Sequence, residues 1–117
     1  MSRDHRKLEV FQLADQLVAE VYKITAALPN AERFGLQSQL RRAAVSVATN
    51  IVEGSARRTT GEYCHFLYIG HASARETSYL LTVCVCLGYL AESSAAPLAN
   101  GYDRASAMLL RLIASHS

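Results

Sequence analysis

Hydrophobic residues recur along the chain at alternating intervals of three and four, which is the spacing that lines one side of an α-helix. The pattern predicts four helices. The first runs from Lys7 to Leu28, and Pro29 and Asn30 end it. No segment alternates apolar and polar residues as a half-buried strand does, so the chain is predicted to be all-α.

The second predicted helix, Leu36 to Arg58, is the one around which the rest of the chain is organised. Its apolar arc spans roughly 160°, counting about 100° per residue, and a bundle helix needs only somewhat more than about 100°. The arc is widened by Val45, Ala48 and Val52. This excess predicts that the helix contacts something besides its own bundle. The core positions of this helix are predicted to be Leu40, Ala44, Val47 and Ile51.

The link to the third helix carries clear boundary signals. Arg57 and Arg58 are predicted to lie in the last turn of the second helix, where cations suit the negative end of the helix dipole. Thr59 and Glu62 have the spacing of a capping box. They are predicted to begin a third helix that runs to about Leu90.

The fourth helix is predicted to begin at caps supplied by Ser93 and Ser94. Pro97 is placed in its first turn, where the missing N–H has no partner to lose. Because the link after the first helix is short, the next helix is predicted to return antiparallel. Residues 1–117 are therefore predicted to form a single domain, an antiparallel up-down four-helix bundle.

Composition narrows the class of protein. Half of the 117 residues are hydrophobic, yet no apolar run approaches the roughly 20 residues that span a bilayer. The N-terminus lacks the apolar core of a signal peptide, so a cytoplasmic protein with no membrane contact is predicted. The three cysteines (Cys64, Cys84 and Cys86) cannot all pair within one chain and are predicted to be reduced.

The charge of the chain gives a mixed signal. A net charge of +2 does not by itself indicate a nucleic-acid binder. Ten of the twelve basic residues are Arg, which favours bidentate contacts to phosphate or carboxylate. The alternative explanation for the excess of Arg over Lys is the coding bias of a GC-rich genome.

No set of residues predicts catalysis. Cys84 and Cys86 lie two apart on a helix and point to different sides, so they are interpreted as small core residues. His65 and His71 lie six apart, which is not a spacing for two ligands on one face. We therefore expect no enzyme activity, no cofactor, no metal and no small-molecule substrate.

Two polar surfaces remain as candidate sites. One is a stripe along the second helix, which is either a solvated face or a surface that positions RNA or a partner: Arg42, Ser46, Asn50, Glu53 and Arg57. Asn50 has a further interpretation as a buried amide that sets helix register. The other is the back of the third helix: Cys64, Tyr68, His71, Arg75, Tyr79, Thr82 and Cys86. It either stacks on unpaired bases or forms a subunit interface, and the interface is favoured.

The stretch RRAAVSVATNIVEGSARR, preceded by PNAERFGLQSQL and followed by GEYCHFLYIGHASARETSYLLTVCVCLGYL, resembles the bacterial four-helix bundle family, also called the 23S rRNA intervening-sequence or S23-like family. The resemblance covers about Leu8 to Leu90 and includes Asn50, Glu53 and Gly54 as structural motif positions. It implies an up-down bundle that assembles as a ring-shaped homopentamer. Some members are encoded within insertions of 23S rRNA genes. A related accessory protein of diversity-generating retroelements is a basic pentamer that binds nucleic acid and a reverse transcriptase.

The leading hypothesis is a non-enzymatic, cytoplasmic homopentamer that acts as an interaction or scaffold protein. Its subunit interface is predicted at Val45, Ala48, Val52, Tyr68 and Tyr79. The alternative is an RNA- or DNA-binding module that works with RNA or with a nucleic-acid enzyme. Its candidate contacts are Arg41, Arg42, Arg57, Arg58 and Arg75. Only the alternative predicts binding that falls steeply with salt.

Overall fold

Four helices account for most of the chain in the computed structural model, which describes residues 3–116. They are α1 (Glu9–Thr25), α2 (Leu36–Ser55), α3 (Thr60–Cys86) and α4 (Glu92–Ala114), with short 3-10 turns at His5–Lys7 and Asn30–Glu32. No strand occurs within those residues, so the all-α prediction is confirmed. None of the helices described there is long and apolar enough to cross a membrane.

The helices run antiparallel around a four-cornered bundle. Each helix contacts the next one along the chain, and α4 closes the bundle against α1. Hydrogen-bonded pairs show that α3 and α4 run in opposite directions, because the residue number rises along α4 as it falls along α3. The pairs are Ser78 with Ala99, Arg75 with Asp103, and His71 with Ser106. The up-down arrangement predicted from the short links is therefore the one observed.

The core lies along the bundle axis and draws on all four helices. The predicted core positions of α2 (Leu40, Ala44, Val47 and Ile51) are fully buried. The other helices contribute Val10, Ala14, Leu17, Val21, Leu67, Ala74, Leu81, Cys84, Tyr102, Ala105 and Leu109. Burying aliphatic and aromatic side chains on this scale is the main stabilising term for the fold.

The first helix is shorter than predicted and ends at Thr25 rather than at Leu28. Pro29 disfavours helical backbone at the residue before it, so the chain turns early. Side chains from α2 then satisfy the carbonyl groups that the helix end leaves free. Gln37 donates to the Thr25 carbonyl at 3.1 Å, and Arg41 donates to the Tyr22 carbonyl at 3.1 Å.

The prediction that Arg57 and Arg58 lie in the last turn of α2 is wrong, because α2 ends at Ser55. The Arg57 N–H bonds the Gly54 carbonyl at 3.0 Å, a three-residue bond that tightens the end of the helix. Both arginines lie in the link to α3. The link is short because Thr59 already caps α3, and its hydroxyl accepts from the Glu62 N–H at 3.1 Å as predicted.

The third helix ends at Cys86, four residues earlier than predicted. Gly88 has a φ of 78°, a left-handed conformation that glycine adopts without a Cβ penalty. The Gly88 N–H bonds the Val85 carbonyl and the Tyr89 N–H bonds the Cys84 carbonyl, both at 2.9 Å, which is the bonding of a Schellman motif. Leu87 therefore lies past the helix and is exposed.

The start of α4 also differs from the prediction. The helix begins at Glu92 after Ala91, which supplies no side-chain cap, so Ser93 and Ser94 lie inside the first turn. Pro97 therefore lies in the helix interior rather than in the first turn. The carbonyl whose bond Pro97 cannot make belongs to Ser93, which is exposed, so water can replace that bond.

Candidate interaction surfaces

The polar stripe on α2 is largely used within the bundle. The hydroxyls of Ser46 and Ser73 lie 2.8 Å apart across the α2–α3 contact. The Asn50 amide donates to the Ser46 carbonyl at 2.8 Å and to its hydroxyl at 3.0 Å. Asn50 thus bonds within its own helix, and the two serines link α2 to α3.

The other two motif positions, Glu53 and Gly54, have separate roles. Glu53 is exposed and accepts from Arg57, four residues further along the chain, at 3.3 Å. Gly54 is buried, and a Cβ built there would lie 3.0 Å from the Phe66 Cβ and 3.2 Å from the Tyr63 carbonyl oxygen. Glycine is needed at this position because α2 and α3 approach so closely.

The five candidate nucleic-acid arginines do not form one surface. Arg41 donates to the Thr25 hydroxyl at 2.9 Å and lies 4.5 Å from the Tyr22 ring centroid, so it fastens α2 to the end of α1. Arg57 pairs with Glu53 and packs on Phe66. Arg75 forms an ion pair with Asp103 at 3.1 Å. Arg42 and Arg58 are exposed to solvent.

The predicted interface residues lie on two different faces. Val45 and Val52 of α2 are 39% and 37% exposed, Ala48 is half-buried, and the exposed Tyr22 of α1 lines the same groove as Val45. We call these four residues the α2 patch. It borders α1.

The second face belongs to α3 and borders α4. Tyr68 and Tyr79 are 58% and 66% exposed, and we call them the α3 patch. The Tyr68 ring lies 5.5 Å from that of His71, and His71 bonds the α4 hydroxyl of Ser106 at 2.7 Å. The two patches therefore lie on different sides of the bundle, one on α2 next to α1 and the other on α3 next to α4.

An open groove of about 680 Å³ runs along α2 from Gln37 to Asn50. Three arginines line the groove: Arg33, Arg41 and Arg42. Among the residues described, no Asp or Glu lines it. Phe34 stands at the groove with 88% of its surface exposed, and the Arg33 guanidinium lies 5.4 Å from its ring centroid. The nearby Glu32 is occupied, since its carboxylate accepts from the Leu36 N–H and from the Tyr89 hydroxyl.

Arg33, Phe34 and Tyr22 were missed as site residues from the sequence. A signal was present for Phe34, because a large aromatic residue between a proline and a helix start belongs to neither helical pattern. Its exposure depends on the conformation of the link, which hydrophobic spacing does not determine.

The N-terminal segment closes the opposite end of α2. The Arg3 N–H bonds the Ser55 carbonyl at 3.1 Å, and its guanidinium lies 4.0 Å from the Tyr63 ring centroid. Burial raises the pKa of Tyr63, which keeps this hydroxyl neutral. These contacts hold the segment against the bundle.

The cysteines differ in their surroundings. Cys84 is buried, and burial raises the pKa of its thiol, which makes it a weak nucleophile. Cys86 is exposed, so its interpretation as a core residue is wrong. Within residues 3–116, no group of three or more His, Cys, Asp or Glu side chains is placed to hold a metal ion.

Comparison with known proteins gives one decisive match. The family model described as 23S rRNA-intervening sequence protein matches residues 6–111. The chain belongs to this family. The family assignment made from the α2 motif is therefore confirmed. No curated protein matches this family member.

A solved structure supports the fold of this 23S rRNA-intervening sequence family member. It is a protein of unknown function from the S23 ribosomal protein family of Bacteroides thetaiotaomicron, with a TM-score of 0.82 and 20% sequence identity. The match covers 89% of this chain and 94% of that one. At this identity the likeness concerns the fold.

Proposed function

We propose that the protein is a non-enzymatic homo-oligomer that acts as an interaction scaffold, assembled as the pentameric ring that the family resemblance implies. The observation that carries this proposal is the presence of two exposed apolar patches on different corners of one small bundle. Isolated exposed apolar residues are normal, but aromatic and aliphatic side chains grouped on a face are typical of protein contacts.

The different locations of the patches indicate how the subunits meet. A ring forms when one patch of each subunit contacts a different patch of the next, whereas a twofold dimer pairs a patch with itself. We infer that the α2 patch of one subunit packs against the α3 patch of its neighbour. The tyrosines supply large contact areas with little loss of side-chain freedom.

Light scattering on single-residue variants tests this proposal. Val45→Asp and Tyr79→Asp each place a charge in a patch and should yield monomers while the helical content stays unchanged. Ala107→Asp introduces the same charge at an exposed α4 position and should assemble as the wild type does. A wild-type protein that remains monomeric at micromolar concentration would refute the proposal.

A second candidate function is binding of RNA at the cationic end of the α2 groove, near Arg33 and Phe34, because the part lined by Tyr22 and Val45 belongs to the proposed subunit contact. A single groove is a small site, but a ring repeats it and sums weak contacts through multivalency. RNA binding by such a ring should be weak per site and should fall steeply with salt. An RNA titration at low and at physiological salt tests this, and no binding at low salt would exclude it.

The cellular location is part of the same proposal. A cytoplasmic protein keeps its thiols reduced, and all three cysteines of this chain are free. The exposed Cys86 would be the first to react in an oxidising compartment, because exposure controls thiol reactivity.

A further inference from the structure

The exposed ring of Phe34 is the feature of the α2 groove that packing does not explain. Phe34 lies in the link between α1 and α2 and is 88% exposed, the highest exposure among the large hydrophobic side chains described. Leaving a phenylalanine ring in water is unfavourable relative to burying it. A ring held in this way is available to stack on a ligand.

The cations around the ring indicate the chemistry of that ligand. Arg33 lies over the ring, and the exposed Arg42 of α2 lines the same groove. Arg41 also lines the groove, but its guanidinium is occupied by Tyr22 and Thr25. Within residues 3–116, Arg33 and Arg42 are therefore the groove arginines whose guanidinium groups make no ion pair or hydrogen bond.

Among residues 3–116, no acidic side chain lines the groove beside these arginines. Glu32, the residue before Arg33, does not line the groove, and its carboxylate is bonded at 3.1 Å by the Leu36 N–H and at 3.2 Å by the Tyr89 hydroxyl. Uncharged groups complete the lining: Gln37, Ser38, Ser46, Thr49 and Asn50. An aromatic face, unpaired cations and hydroxyl groups together match a nucleotide, which offers a flat base, a phosphate and sugar hydroxyls.

We propose that the Phe34 end of the α2 groove binds an unpaired nucleotide of single-stranded RNA. The base stacks on Phe34 or on the adjacent Arg33 plane, the phosphate contacts Arg42, and Ser38 lies where it can bond a sugar hydroxyl. This inference rests on the second proposed function, RNA binding, and assigns that binding to a specific site on the protein. It moves the site from the Arg57–Arg58 link, where Glu53 neutralises one arginine, to the opposite end of α2.

Fluorescence anisotropy with a short, labelled adenosine RNA tests the site on the full chain. Phe34→Leu keeps an apolar side chain but removes the aromatic face, and it should weaken binding about tenfold, the loss expected when stacking of one base is removed. Phe34→Trp should bind at least as tightly as wild type. Because the ring is exposed, neither variant should change the thermal unfolding midpoint.

Charge variants test the phosphate contact in the same assay. Arg42→Ala should weaken binding and lower the slope of affinity against salt by about one. Arg104→Ala removes an equally exposed arginine from α4 and should leave both values unchanged. Annealing the RNA to its complement should weaken binding, because paired bases cannot stack on the ring.

Three results would overturn the inference, and they are distinguishable. RNA binding that is unchanged in Phe34→Leu would refute this site while leaving the RNA function intact. Absence of RNA binding by the wild type at low salt would refute the function and the site together. A changed mass of Phe34→Leu in light scattering would show that Phe34 is a subunit contact instead.

Discussion

At the scale of single residues, neighbours in the sequence have different tasks. Arg41 and Arg42 are adjacent on α2, yet Arg41 donates to the Thr25 hydroxyl and the Tyr22 carbonyl while Arg42 is exposed. A cation at the end of a helix also stabilises the negative end of its dipole. The sequence alone assigned both arginines the same candidate role. They differ because the end of α1 lies within hydrogen-bonding distance of Arg41, whereas Arg42 is exposed.

Arg41→Ala should therefore lower the free energy of unfolding by about 1–2 kcal/mol, through loss of charged hydrogen bonds to the end of α1. Arg42→Ala is the matched control and should change it by less than about 0.5 kcal/mol, as is usual for exposed residues. Urea denaturation of both variants measures the difference. Equal midpoints for the two would show that Arg41 does not fasten α1 to α2.

Tyr102 is a buried residue whose hydroxyl has no hydrogen-bonding partner among residues 3–116. Tyr102→Phe removes that buried polar group and should raise the free energy of unfolding at pH 7 by about 1 kcal/mol. Burial also raises the pKa of Tyr102. The unfolded chain therefore loses this proton first, near pH 10, and stability falls as the pH rises further.

The variant should be less sensitive to alkali, because it has one fewer tyrosine that ionises only on unfolding. The measurement is a series of urea denaturations between neutral pH and about pH 11 on wild type and Tyr102→Phe. The gap between the two proteins should widen above about pH 10. A variant that is less stable than wild type at pH 7 would show that the hydroxyl is satisfied.

At the scale of the helices, the sequence predicted which segments are helical better than where they end. The core spacing of α2 identified Leu40, Val47 and Ile51 as buried, because a three-and-four repeat leaves little choice of face. The three helix ends that were predicted, those of α1, α2 and α3, were all misplaced, and so was the start of α4. Helix ends depend on partners from other elements, as at Thr25, and on single backbone conformations, as at Gly88.

The same limit applies to the candidate surfaces. The hydrophobic excess of the second helix identified the exposed valines of α2, and the spacing of residues on the back of the third helix identified the tyrosines of α3. Ion pairing between helices, such as that of Arg75 with Asp103, is not readable from residues 28 positions apart. The exposed Phe34 was missed for a related reason, since the path of a link is set by the helices it joins.

Gly88 gives a test at this scale. Gly88→Ala forces a side chain into a left-handed backbone and should lower the free energy of unfolding by about 1 kcal/mol. Gly61→Ala is the matched control, because a Cβ at Gly61 meets nothing within 4 Å and lies in the first turn of α3. That change should be neutral or stabilising. A tolerated alanine at both sites would contradict the Schellman ending of α3.

At the scale of the whole molecule, one elongated bundle presents two distinct apolar patches. The bundle measures 46 × 22 × 19 Å, so each patch occupies a side of the long axis rather than an end. The α2 patch borders α1 and the α3 patch borders α4, so a contact between unlike patches uses both in every subunit. Such contacts close into a ring when the rotation between neighbours is regular.

Mixing two variants tests that central claim most directly. Val45→Asp retains an intact α3 patch and Tyr79→Asp retains an intact α2 patch, so a mixture has one working contact. Light scattering should show monomers for each variant alone and, for the equimolar mixture, a pair with twice the 12.8 kDa subunit mass. A dimer of either variant alone, or monomers in the mixture, would contradict assembly through unlike patches.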